Sequence, residues 1–299
     1  MAPEPTARAR ARGGTSTMPT DSYVTIDGIR TRLRESGPPG ARTIAYFHIY
    51  SGLSEETDEF AELVADRYRF VAVDARGHGH TEWGPPDSYT PGRYLADALA
   101  ALDAIGSDPV VVMGSSFGAA TALRIAARHS ERVSALIMDD QPPEFPSAES
   151  KDALEKSAAR QRALRFSDLD EVVVWAQKLR RRHFNWQITD EKARLWAEAA
   201  TMPAEGPTLR FRNDPDSMAC MANFCGLPES DLRPDFASLT VPALIARRLG
   251  AGASLDGPLW EELRALNPRA RYESFEGAGH PVVFTKPREL AEVVRDFLG

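Results

Sequence analysis

Residues Val110-Val111-Val112-Met113-Gly114-Ser115-Ser116-Phe117-Gly118-Ala119-Ala120 join a strand signal to a helix signal through a serine-bearing turn. The first four are all apolar and read as a strand buried on both faces. An Ala-rich run from residue 119 to 128 reads as a helix. Between them stands G-x-S-x-G. Glycines at 114 and 118 permit a sharp strand-to-helix turn that bulkier residues would block. Such a turn lifts the Ser116 hydroxyl clear of the sheet and points a helix N-terminus at it.

Working outward, the flanking chain alternates strands and helices. Residues 23–26 and 29–34 bracket Asp27-Gly28, a two-residue hairpin turn. Strand patterns follow at 43–47, 69–73, 109–113 and 133–138, with helical spacing at 56–66, 94–105 and 119–128. This order predicts a parallel sheet with helices on both faces. Near Pro142 the pattern changes. Residues 146 to about 238 show helical periodicity, no strand-like run, and three tryptophans, Trp175, Trp186 and Trp196. A strand at 241–246, a helix at 259–266, a strand at 271–275 and a helix at 290–297 complete the chain. The predicted organisation is an α/β core over 21–145 and 240–299, interrupted by a helical cap over 146–239. Residues 1–20 lack apolar periodicity and a secretory h-region and read as a disordered tail, with Met18 a candidate start.

Composition narrows the function class. The 299 residues carry 36 Lys+Arg against 43 Asp+Glu, a net charge of −7, so there is no basic surplus for a nucleic-acid partner. No window approaches the 18 or so consecutive apolar residues of a membrane span. Cys220 and Cys225 are the only cysteines, which excludes a disulfide scaffold and a Cys-rich zinc module. No His or carboxylate spacing suggests a metal. The chain reads as a cytoplasmic protein acting on a small-molecule substrate, and a homo-oligomer is compatible with it.

Two further motifs join the first: Asp74-Ala75-Arg76-Gly77-His78-Gly79 after a strand, and Gly277-Ala278-Gly279-His280-Pro281 after the last strand. With them the chain resembles the α/β-hydrolase superfamily over roughly residues 23–299. One departure is His80, where serine is usual. The resemblance implies an α/β-hydrolase fold, Ser116 as nucleophile and His280 as its base. The chemistry asks for such a pair, because a serine hydroxyl attacks poorly unless a neighbouring base removes its proton.

A third group, usually a carboxylate, orients the histidine. In many relatives it follows the seventh strand, about 28 residues before the histidine. Here that position falls near Gly252, within Leu249-Gly250-Ala251-Gly252-Ala253, where no carboxylate stands. Asp256, beside Gly257-Pro258, reads as a turn residue. The other location is the end of the sixth strand, Ile137-Met138-Asp139-Asp140-Gln141. Side chains alternate along a strand, so one of the two aspartates is expected to reach His280. Asp140 is the first choice and Asp139 the second. The order Ser, Asp, His is the hydrolase order.

An oxyanion hole is expected from the backbone N–H groups of Phe117 and Tyr50, the latter in Phe47-His48-Ile49-Tyr50-Ser51-Gly52, where family members often carry His-Gly. His48, His78 and His80 read as structural, and His129, His183 and the Arg180-Arg181-Arg182 run as surface. Trp175, Phe184, Trp186 and Met218 are the candidates to line the substrate pocket from the cap, and the two cysteines read as small hydrophobes packed there.

The resemblance implies a serine hydrolase that cleaves an ester, lactone or amide of a medium-sized, largely apolar molecule through an acyl-enzyme, with no cofactor. An acid after the sixth strand is similar to the zearalenone-type lactonases and to amide hydrolases of ring degradation. A second resemblance, carried by Ile137-Met138-Asp139 and Ser217-Met218-Ala219-Cys220-Met221-Ala222-Asn223, is to cofactor-independent dioxygenases of the quinolone-degrading type. There His280 and an aspartate would work as a dyad and O2 would be consumed. A third reading is a non-catalytic binding protein, against which the intact Ser/His pair argues. Haloalkane dehalogenases and epoxide hydrolases use a carboxylate nucleophile, and position 116 is serine.

Overall fold

The computed structural model describes residues 19–106, 109–183, 188–250, 252–255 and 257–299. The first part of the chain runs β1 (Thr20–Ile26), β2 (Ile29–Ser36), β3 (Arg42–Phe47), α1 (Asp58–Val64), β4 (Tyr68–Val73) and α2 (Pro91–Ile105). Then come β5 (Val110–Ser115), α3 (Phe117–Arg128) and β6 (Val133–Asp139). A helical segment follows with α4 (Lys151–Ala163), α5 (Leu169–His183), α6 (Asp190–Ala200), the short strands β7 (Thr201–Pro203) and β8 (Leu209–Phe211), α7 (Pro215–Met221) and α8 (Arg233–Ala237). The chain closes with β9 (Ala243–Arg248), α9 (Gly257–Leu266), β10 (Arg271–Phe275), α10 (Val282–Thr285) and α11 (Pro287–Leu298).

Eight strands form one sheet in the order β1-β2-β4-β3-β5-β6-β9-β10. β1–β2 and β2–β4 are antiparallel and the other pairs parallel. Asp27 and Gly28 both take positive φ, 50° and 77°, which joins β1 to β2 through a tight turn matched to the strand twist. The apolar run of β5 serves both faces of the sheet. Val110 and Val112 pack towards α2, α3, α8 and α9, while Val111 and Met113 pack towards α1, α10 and α11. Parallel pairing of β5, β6 and β9 leaves their carboxyl ends at one sheet edge, where ligands bind in such folds.

Three sequence expectations differ from the structure. The segment 146–239 is not free of strands: β7 and β8 pair antiparallel. Each has only three residues, too few to show an alternating pattern. The strand expected at 241–246 lies at Ala243–Arg248, so Arg248 closes the strand instead of standing in the loop after it. The sixth strand extends to Asp139. Residues 1–18 of the expected tail lie outside the described residues. Among the described residues no helix is long and apolar enough to cross a membrane.

Candidate active site

The turn from β5 to α3 is as tight as the motif asks. Ser116 sits at φ 48°, ψ −118°, a backbone conformation that L side chains rarely adopt. Its N–H donates to the Asp139 carbonyl at 2.9 Å and its carbonyl accepts from Ala120 N–H at 3.1 Å, so both flanks hold the strain in place. The two motif glycines are required by space. A Cβ on Gly114 would meet the backbone of Gly118 and Ala119, and one on Gly118 would meet the carbonyls of Phe47 and His48. The start of α3 therefore lies directly against the loop after β3, which brings Phe117 and Tyr50 together, their rings 5.3 Å apart edge to face.

That loop is pinned from several sides. His48 Nε2 accepts the Ala75 N–H at 3.0 Å, which makes Nδ1 the protonated nitrogen, and Nδ1 donates to the Ile49 carbonyl at 2.6 Å. Tyr50 donates its hydroxyl to Ser217 Oγ at 3.0 Å, and Asn213 donates to the Ser51 carbonyl at 2.6 Å. Both partners belong to the helical segment. The same strip is clamped to the Asp74–Gly79 turn, since Asp214 N–H donates to the Gly77 carbonyl at 2.8 Å and Tyr89 donates to Asp214 Oδ2 at 2.6 Å. Within the turn Asp74 is fully buried. Burial opposes its charge, but Arg32 and the donors Ser54 and His80 N–H hold it below the ordinary carboxylate range. His78 is also buried, and desolvation pushes its pKa down to about 3, so the ring is neutral. His80, half-buried near Arg32 and Arg212, is pushed down to about 4.

The two aspartates at the end of β6 do different things. Asp140, at φ 52° just past β6, directs Oδ2 to His280 Nδ1 at 2.7 Å. With Nδ1–H committed to Asp140, the lone pair of the neutral ring is on Nε2. The same oxygen accepts from Arg248 Nε at 3.0 Å. Burial works against the Asp140 charge, but the bond to His280 and the charge of Arg248 hold it below the usual carboxylate range. Asp139 does not reach the ring. Its Oδ1 accepts the Val282 N–H at 3.0 Å, and its Oδ2 accepts the Val283 N–H at 3.0 Å and the Ser115 hydroxyl at 2.8 Å. Tyr46 in turn donates to Ser115 Oγ at 3.1 Å. Burial raises the Asp139 pKa to about 6, with the neighbouring Asp140 charge adding to it and the Val283 N–H and Ser115 hydroxyl restraining it. Asp139 thus fixes the first turn of α10, two residues beyond His280. Asp256 lies outside the described residues.

A cavity of about 80 Å³ opens between the loop after β3 and helices α4–α6. Trp175, Trp196, Leu179, Phe211, Leu53 and Ile49 give it an apolar wall, and Gln161, Arg212 and Asn213 add polar groups. Of the expected pocket residues, Trp175 borders it. Met218 is buried on α7 and does not border it. Phe184 and Trp186 lie outside the described residues. Sequence reading passed over Arg248 and Asn213, and it cited Ser217 only within the dioxygenase-like run; the partners of all three are more than 100 residues away along the chain. Cys220 donates its thiol to the Pro86 carbonyl at 2.9 Å, so it ties α7 to the core as well as packing.

The comparisons with known proteins bear on the family and the fold. Residues 40–293 match the model of the alpha/beta hydrolase family. A 2-(acetamidomethylene)succinate hydrolase of Mesorhizobium japonicum is 26% identical over 92% of this chain and 94% of its own length. A putative 2-succinyl-6-hydroxy-2,4-cyclohexadiene-1-carboxylate synthase of Bacillus subtilis is 23% identical over 94% of this chain and 99% of its own. The crystal structure of an E-2-(acetamidomethylene)succinate hydrolase superposes with a TM-score of 0.81 at 24% identity, over 94% of this chain and 99% of the other. From its matching family model, its sheet order and its strand–Ser116–helix turn, the chain belongs to the alpha/beta hydrolase family.

Proposed function

We propose that the protein is a serine hydrolase that opens an ester, lactone or amide bond of a medium-sized small molecule through an acyl-enzyme. The observation that carries the reading is the 2.7 Å bond from His280 Nδ1 to the buried Asp140, on the sheet edge that also bears the strained Ser116 turn. Ser116 Oγ attacks the carbonyl carbon while His280 Nε2 takes its proton. Asp140 stabilises the imidazolium that forms, and His280 then protonates the leaving alcohol or amine. Water, deprotonated by the same nitrogen, releases the acid and restores Ser116. The N–H groups of Phe117 and Tyr50 receive the oxyanion, and residues 146–239 act as a cap over the site. The apolar wall supplied by Trp175 and Trp196 suits a largely apolar substrate body, and the polar groups Gln161 and Asn213 give it orientation. The Mesorhizobium relative acts on 2-(acetamidomethylene)succinate, which keeps amides in the substrate range.

The test is to quench reactions with a panel of p-nitrophenyl esters, lactones and anilides and weigh the intact protein. A burst of product with an acyl mass on a Ser116 peptide is the expected result. No adduct, with oxygen uptake on hydroxylated quinolones, would instead favour the dioxygenase reading. That reading keeps the His280–Asp140 pair and dispenses with covalent chemistry at Ser116.

A further inference from the structure

The strand that supplies the orienting acid in many relatives ends here in a cation. Arg248 closes β9, beside Asp140 in the sheet, where the Asp140 N–H donates to the Ala246 carbonyl at 2.9 Å. Its side chain is 11% exposed and that of Asp140 is fully buried. Arg248 Nε bonds Asp140 Oδ2 at 3.0 Å, the oxygen that also receives His280 Nδ1 at 2.7 Å. Its terminal nitrogen bonds the Gly252 carbonyl, in the loop that would otherwise bear the acid. The guanidinium is therefore fixed by the sheet on one side and the loop on the other.

The charge count explains why a cation is needed. Asp139 and Asp140 are consecutive and both fully buried. Among the described residues, the charged and polar groups set about His280 and its partner include these two carboxylates from the end of β6, Arg248 from β9, and the Ser254 hydroxyl, which lies near Asp140 but outside hydrogen-bonding geometry. Two buried negative charges beside one imidazole would favour the imidazolium, and a protonated histidine cannot serve as a base. One fixed positive charge offsets the second carboxylate.

We propose that Arg248 is a positioning residue that shares Asp140 Oδ2 with His280, compensates the additional charge of Asp139, and thereby keeps the imidazole neutral and ready to act as base. The inference rests on the serine-hydrolase reading for its purpose. Its observable, the titration of one imidazole, does not require turnover.

The experiment is a histidine ring NMR titration of the full chain, with the His280 signal assigned by its loss in His280→Gln. Only six histidines are present, so the assignment is tractable. In Arg248→Met the His280 midpoint is expected to rise by about one pH unit relative to wild type, the scale on which a charge a few ångströms away acts. Arg248→Lys, which restores the charge without the fork, is expected to bring it most of the way back. An unmoved midpoint in a folded Arg248→Met, or equal midpoints for Lys and Met, would overturn the proposal. Should Arg248→Met fail to fold, Arg248→Gln against Arg248→Lys decides: a raised midpoint in Gln alone supports it, and no difference overturns it. Failure of the serine-hydrolase reading would show separately, as an unreactive Ser116 in wild type.

Discussion

At the scale of single residues, two adjacent aspartates divide the work by the direction each faces. Asp140 touches the His280 ring and Asp139 touches the backbone beyond it. Asp140→Asn is expected to leave the fold intact and cut the single-turnover rate by about 10⁴, as when a triad carboxylate is replaced elsewhere. Asp139→Asn keeps the ring contact, so its rate should fall far less. It turns an amide donor towards N–H groups that need an acceptor, so stability should drop by about 2 kcal/mol in denaturant melts. Equal rate losses in the two variants would contradict this division. Ser116 gives a second test. Its φ of 48° is strained for serine and ordinary for glycine. Ser116→Gly should abolish activity and raise stability by about 1 kcal/mol, the lower end of the cost of such a conformation.

At the scale of elements, the strand–turn–helix unit was readable because each part has a strong local cause. Four apolar residues made the strand, an Ala-rich run the helix, and two glycines the turn. The close approach of Gly118 to the Phe47 carbonyl adds a consequence: Gly118→Ala should destabilise by several kcal/mol or prevent soluble folding, checked by expression and thermal melts. His48, His78 and His80 read as structural from the sequence, and His48 does pin the loop after β3. What could not be read is set by distance along the chain. Asn213 and Ser217 hold Ser51 and Tyr50 across more than 160 residues, a pairing with no local pattern. Arg248 was hidden by a two-residue error in its strand's end, and β7 and β8 by their length. Asn213→Ala should loosen the loop that carries Tyr50 and lower kcat about tenfold with little change in melting temperature. An unchanged kcat would detach that contact from catalysis.

At the scale of the whole molecule, buried titratable groups set the response to pH. His78 is held at about 3 in the folded protein against an ordinary value of 6.5. The unfolded chain therefore binds its proton first, and the stability from keeping His78 neutral is complete above pH 6.5 and is lost as the pH falls towards 3. Asp139, raised to about 6, works the other way, favouring the folded state as the pH falls from about 6 to its ordinary 3.8. Between pH 7 and 5 the His78 contribution alone amounts to about 2 kcal/mol. Denaturant melts of His78→Phe should accordingly lose less stability over that interval than wild type, and parallel curves would contradict the assignment.

If Ser116 is an activated nucleophile, its activation can be read without knowing the substrate. The protein is treated with a fluorophosphonate probe and the labelled peptide is located by mass spectrometry, beside Ser116→Ala and His280→Ala. The expected result is one label, on Ser116, absent in Ser116→Ala and slowed at least a hundredfold in His280→Ala. A folded wild-type protein that takes no label, or one labelled at the same rate without His280, would contradict it.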